Sequence, residues 1–165
     1  MNRTGLIAFT LISTSSLSPF LHAETATATA TAVILTRISI TKNADLSFGD
    51  VYPDISSVGT VSIDPGGNRT AGGAAALGAT VGSAAQFTIT GEASVAYAMT
   101  LPSNSVNLTS LSSDSMTVDN FVNDGTGTLN GGGTENISVG ATLHIGASQV
   151  AGTYSGTFDV TVNYN

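Results

Sequence analysis

The chain has no cysteine and no tryptophan, and only 9% of its 165 residues are charged. Without thiols there can be no disulfide framework, no thiolate nucleophile and no cysteine metal site. Core packing and backbone ladders must hold the fold alone. Bases are scarcest: four Lys and Arg stand against eleven Asp and Glu, a formal charge of −7. Binding of nucleic acid requires clustered Lys and Arg, and so does electrostatic docking on anionic membranes; this composition argues against both. Histidine occurs twice, at His22 and His144. No apolar run reaches the length that spans a bilayer.

What is present begins with a leader. Asn2 and Arg3 form a short positive head, and residues 5–12 (GLIAFTLI) form a brief apolar run. A polar stretch with Pro19 follows, then Leu21-His22-Ala23. This order reads as a signal peptide over residues 1–23, cleaved after Ala23, with no membrane span left after processing. The remaining chain suffices for one domain burying about two-thirds of its unfolded surface. The charge it lacks is replaced by Thr, Ser, Asn and Gly, a coat suited to a secreted or surface structure.

Two alternating stretches dominate the rest. Near the front, Ala26, Ala28, Ala30, Ala32, Ile34, Ile38 and Ile40 share one parity, with Thr25, Thr27, Thr29 and Thr31 between them. At the end, Tyr154, Phe158, Val160, Val162 and Tyr164 share another. Side chains alternate faces along a strand, so each stretch reads as an extended segment with one buried face. Between them the pattern predicts strands over residues 46–51, 60–63, 86–90, 94–101, 104–109, 116–121 and 136–145. Strands are also expected over 26–41 and 153–164. Asp64-Pro65-Gly66-Gly67 is a turn, and Gly91-Glu92 is a hairpin candidate. Residues 71–85 are Ala-rich, but their glycines disfavour a helix, so they read as loop, as do the exposed-looking residues 123–136. Eight or nine short strands spaced by turn signals predict an all-β chain and a β-sandwich. Its expected core includes Leu46, Phe48, Val61, Ile63, Phe87, Ile89, Val95, Tyr97, Met99, Leu101, Ile137, Val139, Leu143, Ile145, Phe158, Val160 and Val162.

Catalytic chemistry finds little purchase. His144 points outward by parity and reads as a solvated surface residue; no Gly-x-Ser-x-Gly elbow accompanies it. Asp114, Asp119 and Asp124, like Asp45, Asp50 and Asp54, read as turn residues capping backbone amides. Asp119, Asn120, Asn123, Asp124 and Asn130 would offer oxygen to calcium, but their spacing matches neither an EF-hand loop nor a nonapeptide repeat. The expectation is a non-enzyme with no cofactor and no bound metal.

The two ends carry a resemblance. Tyr164 is penultimate, Gly152 stands fourteenth from the end, and Phe158, Val160 and Val162 alternate between them. Leu46-Ser47-Phe48-Gly49-Asp50-Val51 supplies an early Leu-x-Phe-Gly strand. These features resemble chaperone–usher pilin (fimbrial) subunits of the archaic, spore-coat-U-like type. They also resemble a family of small exported bacterial domains known only as a domain of unknown function. The pilin resemblance implies an incomplete immunoglobulin-like β-sandwich over residues 36–165, completed by a donor strand from a neighbour. Residues 24–35 would be that donor, presenting Ala26, Ala28, Ala30, Ala32 and Ile34. Gly152, Phe158, Val160, Val162 and Tyr164 would form the C-terminal assembly motif, lying beside the groove and read by a chaperone. It further implies a structural subunit of a pilus exported through the periplasm to the cell surface. Its partners would be copies of itself or related pilins, a periplasmic chaperone and an outer-membrane usher. The alternative is a self-contained secreted adhesin or carbohydrate-binding module using residues 123–136.

Overall fold

A computed structural model describes residues 23–165. The expected signal peptide lies outside the described residues except for Ala23. The chain divides into two units, Met1–Val33 and Ile34–Asn165. Residues 23–33 of the first are exposed and carry no strand.

The second unit is all-β, with eleven strands and no helix. Its spine is β10 (Thr134–Ile145), where Ile137, Val139, Ala141, Leu143 and Ile145 alternate inward and are buried. The first half of β10 pairs antiparallel with β6 (Ala85–Thr90), from Thr134 opposite Thr90 to Val139 opposite Ala85. Its second half lies between β3 (Gly59–Ile63) and β9 (Ser115–Asn123), with Thr142 opposite both Ser62 and Asp119. A bulge between Gly140 and Thr142 interrupts the β9 ladder where the partners change. Bulges bend a strand, and here the sheet curls over its own core into a sandwich-like fold. β1 (Ser39–Ala44) extends the sheet beyond β6, β4 (Arg69–Gly73) beyond β3, and β8 (Val106–Thr109) beyond β9. Two short pairs complete the unit: β2 (Val51–Tyr52) with β5 (Ala76–Leu77), and β7 (Tyr97–Thr100) with β11 (Thr161–Tyr164).

The core forms two clusters. One gathers Phe48, Val61, Ile63, Met116, Val118, Leu143 and Ile145; the other gathers Phe87, Ile89, Tyr97, Leu129, Ile137, Val139 and Val162. Leu46 and Phe121 pack against both and bridge them. Every residue of the expected core is buried or half-buried.

Several local expectations are corrected. Residues 71–85 are not simply loop: Thr70, Ala71 and Gly72 ladder onto β3 as part of β4, and Ala76–Leu77 form β5. Backbone pairing, not apolar alternation, makes these strands. Gly91-Glu92 does not close a hairpin, because β6 and β7 lie in different sheets. Residues 123–136 are more ordered than a free loop. Leu129 is 1% exposed; its N–H donates to Val95 O, while Tyr97 N–H donates to Gly127 O. The Tyr97 hydroxyl also donates to Glu135 Oε2 at 2.7 Å, and Thr126 N–H donates to Glu135 Oε1 at 2.6 Å. Burial and the adjacent carboxylate push the Tyr97 phenol well above its ordinary pKa. Burial pushes Glu135 upward, but the hydrogen bonds from Thr126 and Tyr97 outweigh it and leave the carboxyl below its usual value. The expected strands over residues 26–41 and 153–164 form ladders only at Ser39–Ala44 and Thr161–Tyr164, with a single bridge from Ser155 to Thr109.

Leu129→Ala removes a fully enclosed side chain and should cost about 2–5 kcal/mol in denaturant unfolding. Leu111→Ala, at a fully exposed position, should change stability by less than about 0.5 kcal/mol.

Candidate functional site

The sheet does not close along one side. Between residues 42–51 and residues 152–158 runs a cleft of about 790 Å³. Its floor is apolar: Ala85, Phe87, Leu108, Met116, Val118 and Phe121 come from β6, β8 and β9. Backbone forms both of its rims.

The first rim continues β1. Its far edge is satisfied: Ser47 exchanges both backbone hydrogen bonds with Ser83, and Asp50 N–H donates to Thr80 O. Successive residues of an extended strand direct their hydrogen-bonding groups to opposite edges. Leu46 and the Phe48 N–H accordingly make no backbone hydrogen bond among the described residues. Arg69 fixes this rim from below. Its Nη1 donates to the carbonyls of Phe48 (3.0 Å), Asp50 (3.2 Å) and Thr80 (2.7 Å), and its Nη2 donates to Gly78 O at 2.8 Å. Nη1 carries two N–H groups, so one of them is shared between two carbonyls, and the planar fork of arginine lets Nη2 reach the fourth. Gly49 makes room for it. Its φ is +67°, and a Cβ there would collide with Thr80 O and the Arg69 guanidinium. The Leu-x-Phe-Gly stretch thus acquires a physical account: Leu46 bridges the cores, Phe48 is buried, and Gly49 admits the clamp.

The second rim is the run into β11. Ser155 exchanges backbone hydrogen bonds with Thr109 of β8, and Gly156 lies so close to β8 that a Cβ would meet Asn107 O at 2.5 Å. Beyond it, residues 156–159 make no backbone hydrogen bond among the described residues. Phe158 turns down onto Phe121, with ring centroids 5.0 Å apart.

The proposed site residues therefore divide. Gly152 and Phe158 line the cleft. Val160, Val162 and Tyr164 pack in or against the second core cluster, away from it. Ala26, Ala28, Ala30 and Ala32 are exposed outside any strand, and Ile34 is 95% exposed.

Tyr164 has a specific task. Its hydroxyl donates to Thr36 O at 2.6 Å and accepts from Glu92 N–H at 2.6 Å. Thr36 N–H in turn donates to Glu92 Oε2 at 2.8 Å. Both backbone groups of Thr36 are held, at the point where the chain leaves the domain toward residues 24–35. The Thr36 amide keeps the Glu92 carboxyl below its ordinary pKa. Nothing in the sequence marked Arg69, Glu92, Thr36 or Gly156, because each acts on a neighbour remote in the chain.

The remaining polar residues are occupied locally. His144 Nε2 lies 2.8 Å from Asp119 Oδ1, a half-buried pair across β9 and β10. His144 is therefore not freely solvated, and Asp119 sits on a strand, not in a turn. Asp54 Oδ1 accepts from the N–H groups of Ser56 and Ser57, Asp124 Oδ1 from Ser138 N–H, and Asn130 Oδ1 from Gly132 and Thr134 N–H. Of the oxygens considered above for calcium, Asn130 Oδ1 serves a turn and Asp124 Oδ1 holds the backbone of β10. No group of three His, Asp or Glu that could hold a metal occurs among the described residues.

Tyr164→Phe should lower stability by about 1–2 kcal/mol in urea unfolding and speed amide exchange at Glu92, because two hydrogen bonds share the lost oxygen. A carboxylate with a depressed pKa stabilises above its unfolded pKa and ceases to do so as pH falls through the folded value. Acidification through that range should loosen Thr36, and Glu92→Gln should abolish this pH dependence.

No match was found among curated proteins or among solved structures. A family model described as a domain of unknown function (DUF4402) matches residues 38–164. That span takes in every strand and both rims of the cleft, and the chain belongs to this family.

Proposed function

We propose that this chain is a structural subunit of a bacterial surface fibre, assembled by donor-strand exchange, in which residues 24–35 of one copy fill the cleft of the next. One observation carries the reading: a cleft with an apolar floor is bounded by two backbone edges without partners, in a chain that also supplies an alternating segment outside any strand. An inserted strand satisfies both edges and covers the floor at once. The reading brings with it export through the periplasm, a chaperone that covers the cleft beforehand, and an usher.

The magnitudes define what such a donor can do. Four inward alanine methyls contribute about 3 kcal/mol on burial and Ile34 about 2–3 kcal/mol. Ordering and association cost at least about 4 kcal/mol. Side chains alone leave little surplus, so the two backbone ladders must supply the remaining affinity. A donor of this composition suits a shallow cleft, and its one large residue, Ile34, sets the register.

A domain lacking residues 24–35 should be stabilised in thermal unfolding by the peptide ETATATATAVIL, because a ligand that binds only the folded state raises its stability. The Ile34→Asp peptide should fail, since an unpaired carboxylate would enter an apolar site. The Thr31→Asp peptide, altered on the opposite face, should retain the effect. Equal behaviour of the three peptides, or no stabilisation by any, removes the reading in favour of a self-contained binding module.

A further inference from the structure

The unit has two distinct ends, and β10 runs between them. At one end Thr134 lies opposite Thr90, close to Gly91, Glu92 and the Thr36 root held by Tyr164. At the other, Ile145 lies opposite Gly59. Twelve residues of strand set these ends roughly 40 Å apart.

The second end is unusually apolar for its exposure. Its loops are tied together: Ser148 N–H donates to Asp54 O and Ser148 Oγ to Ile55 O, both at 2.8 Å, while Gln149 Nε2 donates to Ser115 O at 3.3 Å. On this fixed frame Ile55 is 84% exposed, Val58 71%, Val150 50%, and Leu111 fully so. In a chain that otherwise covers itself with Thr, Ser and Gly, clustered exposed aliphatics mark a contact surface. The cleft reaches toward the same end: Val51 and Gly152 line it, close in the chain to Ile55 and Val150, and Gly152 lies beside Ser110, next to Leu111.

The occupant follows from where the extension starts. Each copy sends its extension out from the Thr36 end. If copies are to follow one another in a line, an inserted extension must have its root at the opposite end of the acceptor; otherwise two Thr36 ends would collide and growth would stop. The residues nearest the root are Val33, Ile34 and Leu35, exposed by 85%, 95% and 53%. We propose that the apolar end bearing Ile55, Val58, Leu111 and Val150 is the docking surface for Val33 and Leu35, which flank Ile34 on the opposite face of the extension root of a second copy of this chain. The contact is heterologous and open, the kind that generates filaments and not closed rings. This inference rests on the strand-exchange reading and adds a second interface to it, outside the cleft.

The absence of cysteine allows a clean test on the processed chain. Leu35→Cys protein mixed with Val150→Cys protein under mild oxidation should give a disulfide-linked mixed dimer. Leu35→Cys mixed with Val122→Cys, an exposed site near the far end of β9, should give several-fold less. Adding Ala30→Asp to the Leu35→Cys chain, which places a charge on the inserting face, should abolish the first cross-link. Cross-linking that survives Ala30→Asp upholds the end contact and removes strand insertion. Equal linking to Val122→Cys overturns the end contact. Absent linking to Val150→Cys in material that still assembles by size also overturns it, and leaves strand insertion standing. Absent linking without assembly overturns both.

Discussion

An unpaired strand edge is a row of backbone donors and acceptors that water, another strand or a covering loop must satisfy. In this domain the edges of residues 45–48 and 156–159 face each other across an apolar floor, and most of the structure's particular features serve to keep them there. Ordinary edges are blunted by charge, proline or a bulge. Here Lys42 and Asp45 pair with each other and the Asp50 carboxylate is held by Thr80, while Leu46, Phe48, Gly156 and Phe158 bring no charge to the cleft.

Two clamps hold the opening in shape, and they act at different places. Arg69 gathers four carbonyls beneath the first rim and spares them from seeking partners in the cleft. Tyr164 and Glu92 hold Thr36 by both of its backbone groups. The first clamp holds the rim of the cleft, and the second holds the backbone at Thr36. A fibre of such units would inherit its stiffness from these hydrogen bonds more than from the extension, whose alanines provide little apolar area.

The strands with one buried face were legible in the sequence. β3, β6, β9 and β10 alternate because a curled sheet buries one face of each, and period two is the imprint of that burial. β4 was not legible. Arg-Thr-Ala-Gly-Gly has no apolar face, and its place comes from the ladder to β3 and from Arg69. Leu129 was hidden for a related reason: a single apolar residue among Gly, Asn and Thr carries no period. The candidate site was half legible. Period two at residues 26–34 and 154–164 named faces, but a face does not name a neighbour. Tyr164 stood out by position, yet its work on Thr36 and Glu92 depends on a pairing of remote segments that no local pattern encodes. The His144–Asp119 pair is of the same kind, set by the register between β9 and β10.

The family match covers the domain and stops short of the extension, since it begins at residue 38. The central claim concerns what that extension does, and sizing tests it most directly. The processed chain and the same chain without residues 24–35 should be compared across a concentration series by light scattering with chromatography. The account expects the processed chain to form open-ended assemblies that grow with concentration, and the shortened chain to remain a folded monomer. A processed chain that stays monomeric at high concentration would contradict it.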